Sequence, residues 1–366
     1  MQILKSKTSS SKASKFLESI GRNSVNTNKG YSVGLKHFDT FLSKYELNLE
    51  NVIPSLIDGK IDTYELLDQF IAYLALQKSI ISNSTLKFYV AAIRSYLEFY
   101  DVDVSYSKFK RRVKMPRIHK DEEQPADLED IRSLLRYCDN TRLSVYILLL
   151  VSSGLRAMEA ASLMKQDVNF SVSPTQIRVR PEYSKTKRSR IVYCSDEATE
   201  QLQKLLKFRH SDSDLIFALR EDTKSPRAIY VKLLQKFNQV QIKADRDERK
   251  ENSRRHKITF HSFRRTCYSI ISENVSSDYA NWFLGHDHSV YWTWKESERR
   301  KIYETKCMPS LIVADYRALD TRSKNIEGSI KEKDQEIALL KKEMRNMRDE
   351  WHALLSEPEK FMEMLQ

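Results

Sequence analysis

The chain has little glycine, and its longest apolar run is short; each shortage excludes a class of protein. Seven glycines among 366 residues lie far below the usual ~7%, and neither a GxGxxG nor a Walker A pattern occurs. The longest apolar run, Val145 to Val151, is much shorter than the ~20 residues that a membrane span needs. Dinucleotide-binding enzymes, P-loop enzymes and membrane proteins are therefore excluded.

Cysteine is also scarce, and the beginning of the chain lacks an apolar segment. The four cysteines, Cys138, Cys194, Cys267 and Cys307, are spaced neither as a disulfide framework nor as a CxxC metal site. The first residues, MQILKSKTSSSKASKF, do not have the apolar core of a secretory signal. We therefore expect free thiols and a cytoplasmic, nucleoid-associated protein with no membrane partner.

Positive charge is what the chain has in excess. There are 62 Lys and Arg against 50 Asp and Glu, a formal charge of +12. Residues 323–366 hold eight basic and ten acidic residues, so their net charge is −2 and residues 1–322 carry +14. Such an excess in a helix-rich chain indicates a polyanionic partner, most often nucleic acid.

The first third of the chain predicts a helical domain followed by a basic linker. After a flexible N-terminus, residues 1–15, apolar spacing predicts helices through residues 16–106. Residues 107–126 are predicted as the linker, because SKFKRRVKMPRIHK has seven basic residues and no acid, and Pro116 interrupts a helix. A solvated tether is the alternative, but such dense charge favours contact with DNA phosphates through Lys108, Lys110, Arg111, Arg112, Lys114 and Arg117.

Residues 127–322 are predicted as a second domain, and residues 323–366 as a C-terminal helix. The β-rich segments 176–179 and 191–193 flank the polar tip EYSKTKRSR, which predicts a hairpin with DNA contacts from Lys187, Arg188 and Arg190. In the last segment, apolar residues at heptad spacing predict a coiled coil and self-association; a helix packed on the protein's own body is the alternative. The two columns are Ile330, Ile337, Met344 and Trp351, and Ile326, Leu340, Met347 and Leu354, with Lys333 as the interruption.

Four short motifs in the second domain carry the residue types for cleaving a phosphodiester without a metal. They are SSGLRAMEAASL with Arg156, YSKTKRSR with Lys185, HSFRRT with His261 and Arg264, and FLGHDHS with His286. Arginine can grip two phosphate oxygens, a lysine can protonate the leaving oxygen, and histidines can donate to developing charge. Lys187 is the alternative to Lys185. The i, i+3 spacing puts His261 and Arg264 on one helix face.

The ordered set of motifs resembles the tyrosine recombinase or phage-type integrase family, which includes lambda-type integrases and Xer-type resolvases. The resemblance covers residues 16–322 and implies a mainly α fold with a small antiparallel β-sheet: a helical core-binding domain, then a catalytic domain. It implies site-specific cleavage and rejoining of duplex DNA through a 3′-phosphotyrosine, in a tetrameric synapse, for a mobile element or provirus, without metal or cofactor. Arg156 and Arg264 would clamp the phosphate, Lys185 would be the general acid, His261 an acid/base partner and His286 a phosphate ligand.

The nucleophile is where this chain departs from the family pattern. The candidates Tyr291, Tyr303 and Tyr316 follow His286 by 5, 17 and 30 residues, and none has the usual spacing. The context RRKIYETK resembles the family's helix around its tyrosine, so Tyr303 is the prediction, with Tyr291 and Tyr316 as alternatives.

Two other functions compete with a recombinase. One is a non-catalytic DNA-binding or architectural protein on the same fold, which loss of catalytic residues would favour; the first five are all present. The other is a type IB topoisomerase-like enzyme that nicks and closes one strand. The predicted N-terminal helical module and coiled coil, both suited to multimeric synapsis, argue against the latter.

Overall fold

The computed structural model describes residues 11–76, 81–117, 124–184, 187–209, 213–218, 225–250, 255–286, 289–314 and 333–352. The chain divides into two compact units, residues 1–122 and 123–366, each with its own hydrophobic core. Most described residues are helical, and three strands form one antiparallel sheet. The predicted fold class is confirmed.

The first unit is a bundle of helices whose beginnings are marked by polar caps. Ser24, Asp62 and Ser82 each accept hydrogen bonds from backbone N–H groups in the first turn that follows, which satisfies donors that a helix leaves unpaired. Phe38, Phe70 and Tyr96 are fully buried in the core. The helices are α1 (Lys12–Asn23), α2 (Val25–Leu42), α3 (Val52–Ile57), α4 (Thr63–Ala75), α5 (Asn83–Phe99) and α6 (Tyr106–Arg112).

The structure differs from the sequence prediction at both ends of this unit. Helix α1 begins at Lys12, inside the predicted flexible N-terminus, because Ser11 caps it and Phe16 is buried. Helix α6 lies within the predicted linker but packs against the bundle through Phe109 and Val113, which are both buried. This apolar i, i+4 pair holds the segment to the core in spite of its charge. Residues 118–123 of the predicted linker lie outside the described residues.

The second unit surrounds one almost completely buried helix. Every residue of α8 from Val145 to Ser153 is buried, so this helix is the centre of the core. The helices are α7 (Leu128–Arg136), α8 (Thr141–Ser153), α9 (Ala157–Ala161), α10 (Asp196–Phe208), α11 (Pro226–Lys243), α12 (Phe260–Asn274), α13 (Ser277–Leu284), α14 (Glu296–Ile302) and α15 (Met308–Leu311), with one π-helical turn, Tyr303–Cys307, between the last two.

The predicted hairpin is present in the sheet of this unit. Strands β1 (Val168–Asn169), β2 (Gln176–Val179) and β3 (Arg190–Tyr193) pair in the order β1-β2-β3. In the β2–β3 pair, Gln176 faces Tyr193 and Val179 faces Arg190. The basic tip therefore spans residues 180–189.

Residues 333–352 are helical, and every one of them is exposed. Both predicted heptad columns are represented on this helix. Their exposed fractions lie between 47% and 66% for Ile337, Leu340, Met344, Met347 and Trp351. The helix thus presents large apolar side chains that the described part of this chain does not cover.

Candidate active site

Two glycine turns bring separate motifs of the second unit into contact. Gly154 ends α8 with φ +59°, and Gly285 ends α13 with φ +76°, a region that favours glycine. A Cβ atom would lie 3.1 Å from Cys267 Sγ at Gly154 and 2.8 Å from Arg190 Cδ at Gly285. Both turns therefore require glycine for conformation and for space, and they place Arg156 and His286 directly beyond well-fixed helix ends.

Arg264 joins the two turns. Its side chain projects from α12 and is 3% exposed. One terminal nitrogen donates to the Gly154 carbonyl oxygen at 2.5 Å, and the other donates to the Leu284 carbonyl oxygen at 2.6 Å. Because a guanidinium has five N–H donors, donors remain for an anion. Arg264 thus fixes the arrangement of three motifs.

Arg156 is held by a buried carboxylate. Its Nη1 donates to Glu159 Oε1 at 2.9 Å, and its backbone N–H donates to Glu159 Oε2 at 2.9 Å. The Arg156 side chain remains 24% exposed, whereas that of Glu159 is 1% exposed. Arg190 pairs with the same carboxylate from the other side, at 3.1 and 2.7 Å. Glu159 therefore fixes the orientation of Arg156, while part of the Arg156 guanidinium stays accessible to solvent.

The group carries an excess of positive charge. Three guanidinium groups, Arg156, Arg190 and Arg264, face one carboxylate, Glu159. Burial, followed by the charges of Arg156 and Arg190, lowers the pKa of Arg264 to about 9, so this side chain remains charged at neutral pH. Burial alone would raise the pKa of Glu159, but hydrogen bonding and charge from Arg190 and Arg156 lower it overall. The site is therefore suited to an anion.

His261 belongs to the same cluster. It lies in the first turn of α12 and is accessible to solvent. Desolvation by the surrounding protein, followed by the charges of Arg264 and Arg156, lowers its pKa. The imidazole is therefore neutral at pH 7 and can accept a proton. The structure thus brings Arg156, His261 and Arg264 together, as the sequence predicted.

His286 lies against the C-terminal side of the same helix. Its ring centroid is 6.5 Å from that of Tyr268, which follows Arg264 by one turn of α12. His286 Nδ1 lies 3.0 Å from Asn281 Oδ1. The ring is thereby oriented by α13, and His286 is exposed.

The basic residues of the hairpin differ in their surroundings. Lys185, the predicted general acid, lies outside the described residues. Lys187 and Arg188 are exposed in the tip. Arg190, by contrast, is 5% exposed and is bound to Glu159, so the structure contradicts the predicted DNA contact of this residue. Sequence reasoning also missed Glu159, although its place three residues after Arg156 is the usual spacing of a helical ion pair.

Tyr303, the predicted nucleophile, is a core residue in the structure. It is 0% exposed, stacks on Phe283 with ring centroids 5.3 Å apart, and donates its hydroxyl to the Ser152 carbonyl oxygen at 2.9 Å. Burial raises the pKa of Tyr303 well above its ordinary value. A hydroxyl in this position cannot attack a phosphate outside the core, so the structure does not support the assignment to Tyr303.

Tyr291 follows His286 by five residues in the sequence and is only partly buried. The short 3₁₀ turn Val290–Trp292 carries it, and the Trp292 indole N–H donates to the His286 carbonyl oxygen at 3.3 Å. The Tyr291 ring contacts the rings of Tyr279 and Trp294, with centroids 5.1 and 4.6 Å away. The turn thus contacts the backbone of His286 through Trp292, and the Tyr291 ring packs on Tyr279 and Trp294. Tyr316, the other alternative, lies outside the described residues.

The described residues contain neither a cluster of metal-binding side chains nor a membrane-spanning helix. Within the described ranges, no group of three or more His, Cys, Asp or Glu side chains could hold a metal ion. Among the helices of those same ranges, none is long and apolar enough to cross a membrane.

Comparison with known proteins gives the cluster a family context. Residues 125–291 match the phage integrase family. The tyrosine recombinase XerA of Saccharolobus solfataricus is 28% identical over 204 residues, which cover 54% of this chain and 62% of the relative. The tyrosine recombinase XerD of Rickettsia bellii is 26% identical over 211 residues, which cover 54% and 64%.

Solved structures show the same fold. A lambda integrase dimer bound to a core site has a TM-score of 0.53 at 13% identity and covers 80% of this chain and 94% of that one. The recombinase XerH bound to its difH substrate has a TM-score of 0.53 at 17% identity, with coverage of 81% and 85%. This chain thus spans slightly less than two thirds of those sequence relatives but most of the solved chains. Over residues 125–291, the second unit matches the phage integrase family, and it is similar in sequence to Xer-type tyrosine recombinases.

Proposed function

We propose that this protein is a site-specific DNA recombinase that cleaves and rejoins duplex DNA through a covalent 3′-phosphotyrosine intermediate. The observation that carries the proposal is the convergence of Arg156, His261 and Arg264 around a net positive site. The family match and the relatives' names support it. Recombination for a mobile element or provirus, at the nucleoid, is part of the proposal.

The chemistry needs no cofactor in this proposal. The accessible part of Arg156 and the remaining donors of Arg264 bind the non-bridging oxygens of the scissile phosphate and stabilise charge in the transition state. Neutral His261 accepts the proton of the attacking hydroxyl. His286 donates a further hydrogen bond to the phosphate.

The nucleophile in this proposal is Tyr291. Its hydroxyl oxygen attacks phosphorus, the bond to the 5′-oxygen breaks, and Lys185 gives that oxygen a proton. The 3′-phosphate remains on the tyrosine, and the reverse reaction with a new 5′-hydroxyl rejoins the strand. Three observations support the choice: the partial burial of Tyr291, the contact of its turn with the His286 carbonyl oxygen through Trp292, and the burial of Tyr303.

The proposal is tested by trapping the covalent complex. Purified protein is incubated with nicked duplexes of randomised core sequence and with a chelator, and the products are separated on a denaturing gel. We expect an adduct in which protein is linked to a 3′ end. Absence of any adduct on sequences that the protein binds would support the non-catalytic DNA-binding alternative. Sequence-independent relaxation of supercoiled plasmid, without strand exchange, would support the topoisomerase-like one.

Helix α6 is proposed as a DNA-contacting surface of the first unit. Lys108, Lys110 and Arg111 are exposed, and phosphates would neutralise their mutual repulsion. Arg112 differs, because its Nη1 lies 2.9 Å from Asp62 Oδ2 and its guanidinium covers the Tyr64 ring. Arg112 therefore also serves the fold of the bundle. Lys114 and Arg117 are likewise exposed and extend the surface.

Replacing Lys108, Lys110 and Arg111 by glutamine is expected to weaken binding to all DNA sequences alike. The slope of log K against log salt concentration is negative, and its magnitude should decrease by about three, at roughly 0.9 per lost phosphate contact. Filter binding at several salt concentrations measures the slope. Arg112→Gln is the matched control. It should lower the melting temperature and leave the salt dependence of binding nearly unchanged. An unchanged slope in the triple variant would assign the segment to a solvated tether.

Self-association is proposed to involve the C-terminal helix. Lambda integrase has been solved as a dimer on a core site and as a tetramer on a Holliday junction, and a tetrameric synapse is proposed here by analogy. The uncovered heptad columns of residues 333–352 would pair with a second copy of this chain, because a/d apolar columns are buried in coiled coils.

Deleting residues 326–366 is expected to lower self-association in sedimentation while leaving cleavage of a nicked substrate intact. Leu340→Asp should reproduce the loss of self-association, because it places a charge in the apolar seam. Lys342→Asp, on the opposite face of the helix, is the control and should not. If the sedimentation coefficients of the shortened and full chains indicate the same oligomer, the helix instead packs on its own chain.

A further inference from the structure

Arg190 occupies a position that its neighbours in the sequence do not share. It is the first residue of β3 and faces Val179 of β2, at the point where the hairpin tip rejoins the sheet. Its side chain is 2% exposed, whereas Lys187 and Arg188 are exposed. A guanidinium is costly to bury unless it is paired in good geometry. The burial of this arginine therefore requires a structural partner.

The partner is a carboxylate that Arg156 also uses. The two terminal nitrogens of Arg190 bind the two oxygens of Glu159 at 3.1 and 2.7 Å, which is the bidentate geometry that only arginine provides. The same two oxygens accept the Arg156 side chain and the Arg156 backbone N–H. Arg190 and Arg156 are thus linked through one shared carboxylate.

Arg190 also contacts the turn that precedes His286. Its Cδ, Nε and Cζ atoms lie 2.8, 3.0 and 3.2 Å from the place where a Cβ of Gly285 would be. Its Nε is buried and has no hydrogen-bond acceptor among the described residues. The side chain therefore packs face-on against the glycine backbone and fills the space that the missing Cβ leaves. Three motifs meet on this one residue: the hairpin, the Arg156 turn and the His286 turn.

We propose that Arg190 is a positioning residue. It makes the orientation of Arg156 and of the Gly285–His286 turn depend on the position of the hairpin formed by β2 and β3. The inference rests on the proposed function of the site. Arg190 lies in the strand that directly follows the hairpin tip, which includes Lys185, Lys187 and Arg188. When the tip binds DNA, a shift of this strand moves Arg190, and Arg190 moves the Glu159 carboxylate bound to it. The position of the hairpin is thereby coupled to the position of Arg156, which binds the phosphate in the proposed function.

The test compares Arg190→Lys with Arg178→Met. Arg190→Lys keeps the charge but loses the bidentate contact with Glu159, and we expect the single-turnover rate of adduct formation to fall by about 100-fold. DNA affinity should stay within about twofold of wild type, because the Arg190 side chain is 2% exposed and is paired with Glu159. Arg178, on the neighbouring strand, is exposed, and its variant should behave as wild type. Equal losses of affinity and rate in Arg190→Lys would overturn the proposal.

A double-mutant cycle separates positioning from a merely structural role. If Arg190 acts through Arg156, then Arg190→Lys should cost little further rate in an Arg156→Lys background. If Arg190 only supports the fold, the fold-losses in rate of the two single variants should multiply in the double variant. Where Arg190→Lys does not fold, the double variant Arg190→Met with Glu159→Gln removes both charges of this buried ion pair and is compared with Glu159→Gln alone.

Hydrogen exchange provides a readout that does not depend on catalysis. We expect Arg190→Lys to speed amide exchange at residues 156–160 and 285–286, as well as in the hairpin. Changes confined to the hairpin would contradict the coupling. A wild-type protein that forms no adduct would instead refute the proposed function, so the two failures are distinguishable.

Discussion

Replacing Tyr291 by phenylalanine is expected to abolish the covalent protein–DNA adduct, with a loss of at least about 10⁴-fold in cleavage. Only the hydroxyl is removed, and the ring contacts with Tyr279 and Trp294 are kept. DNA affinity and melting temperature should therefore be close to those of wild type. Denaturing gels and binding isotherms on the same nicked substrate measure the two effects.

Tyr303→Phe is the matched control for that prediction. It removes the hydrogen bond to the Ser152 carbonyl oxygen and leaves the stack on Phe283. We expect full adduct formation and a loss of about 1 kcal/mol in the free energy of unfolding, because the buried Ser152 carbonyl oxygen keeps only the weak Cys267 thiol donor at 3.8 Å. An adduct that survives Tyr291→Phe but disappears in Tyr303→Phe would show that Tyr303 leaves the core to react. Survival in both variants would assign the nucleophile to Tyr316.

Replacing Arg264 by methionine is expected to have the second-largest effect, on stability as well as on catalysis. The carbonyl oxygens of Gly154 and Leu284 lose their donors, at about 1–3 kcal/mol for each buried unsatisfied group. Loss of transition-state stabilisation should lower cleavage by a further factor of about 10²–10³. Chemical denaturation and single-turnover cleavage measure the two losses.

The control is Arg265→Met, at the next position on α12. Arg265 is only partly buried, and it does not belong to the cluster around Glu159. We expect adduct formation by this variant to remain within a few-fold of wild type. If Arg264→Met retained both its stability and its cleavage, Arg264 could not be the residue that joins the two glycine turns.

Much of the fold was predictable because its signals are local. Apolar periodicity and capping residues mark α2, α4 and α5, and two β-rich segments around a basic tip mark the hairpin. The pairing of His261 with Arg264 followed from their i, i+3 spacing within α12, whereas the grouping of Arg156 with them followed from the resemblance to the recombinase family. For these helices, for the hairpin and for the His261–Arg264 pair, the residues that decide the structure are close together in the sequence.

Burial of individual polar residues was not predictable in the same way. Lys187, Arg188 and Arg190 have the same chemistry in the sequence, and only pairing with Glu159, 31 residues away, distinguishes the last of them. Residues 107–126 were predicted as a linker because of their dense positive charge, although the apolar pair Phe109 and Val113 holds part of this segment to the core. Tertiary contacts decide such cases, and a local pattern does not contain them.

Tyr303 was predicted as the nucleophile although a signal for its burial was present. Cys307 and Leu311 follow it at intervals of four, and all three side chains are buried. This spacing forms the apolar face of one helix, so the tyrosine belongs to that face. The prediction rested instead on the resemblance of RRKIYETK to the family's helix around its tyrosine.

The most direct test of the account is to map the DNA-linked peptide by mass spectrometry. The three candidate tyrosines fall on three different tryptic peptides, residues 266–295, 302–306 and 307–317. We predict that the nucleotide remnant is on residues 266–295, and that fragmentation places it on Tyr291 rather than on Tyr268 or Tyr279. A remnant on residues 302–306 or 307–317, carrying Tyr303 or Tyr316, would contradict this account of the site.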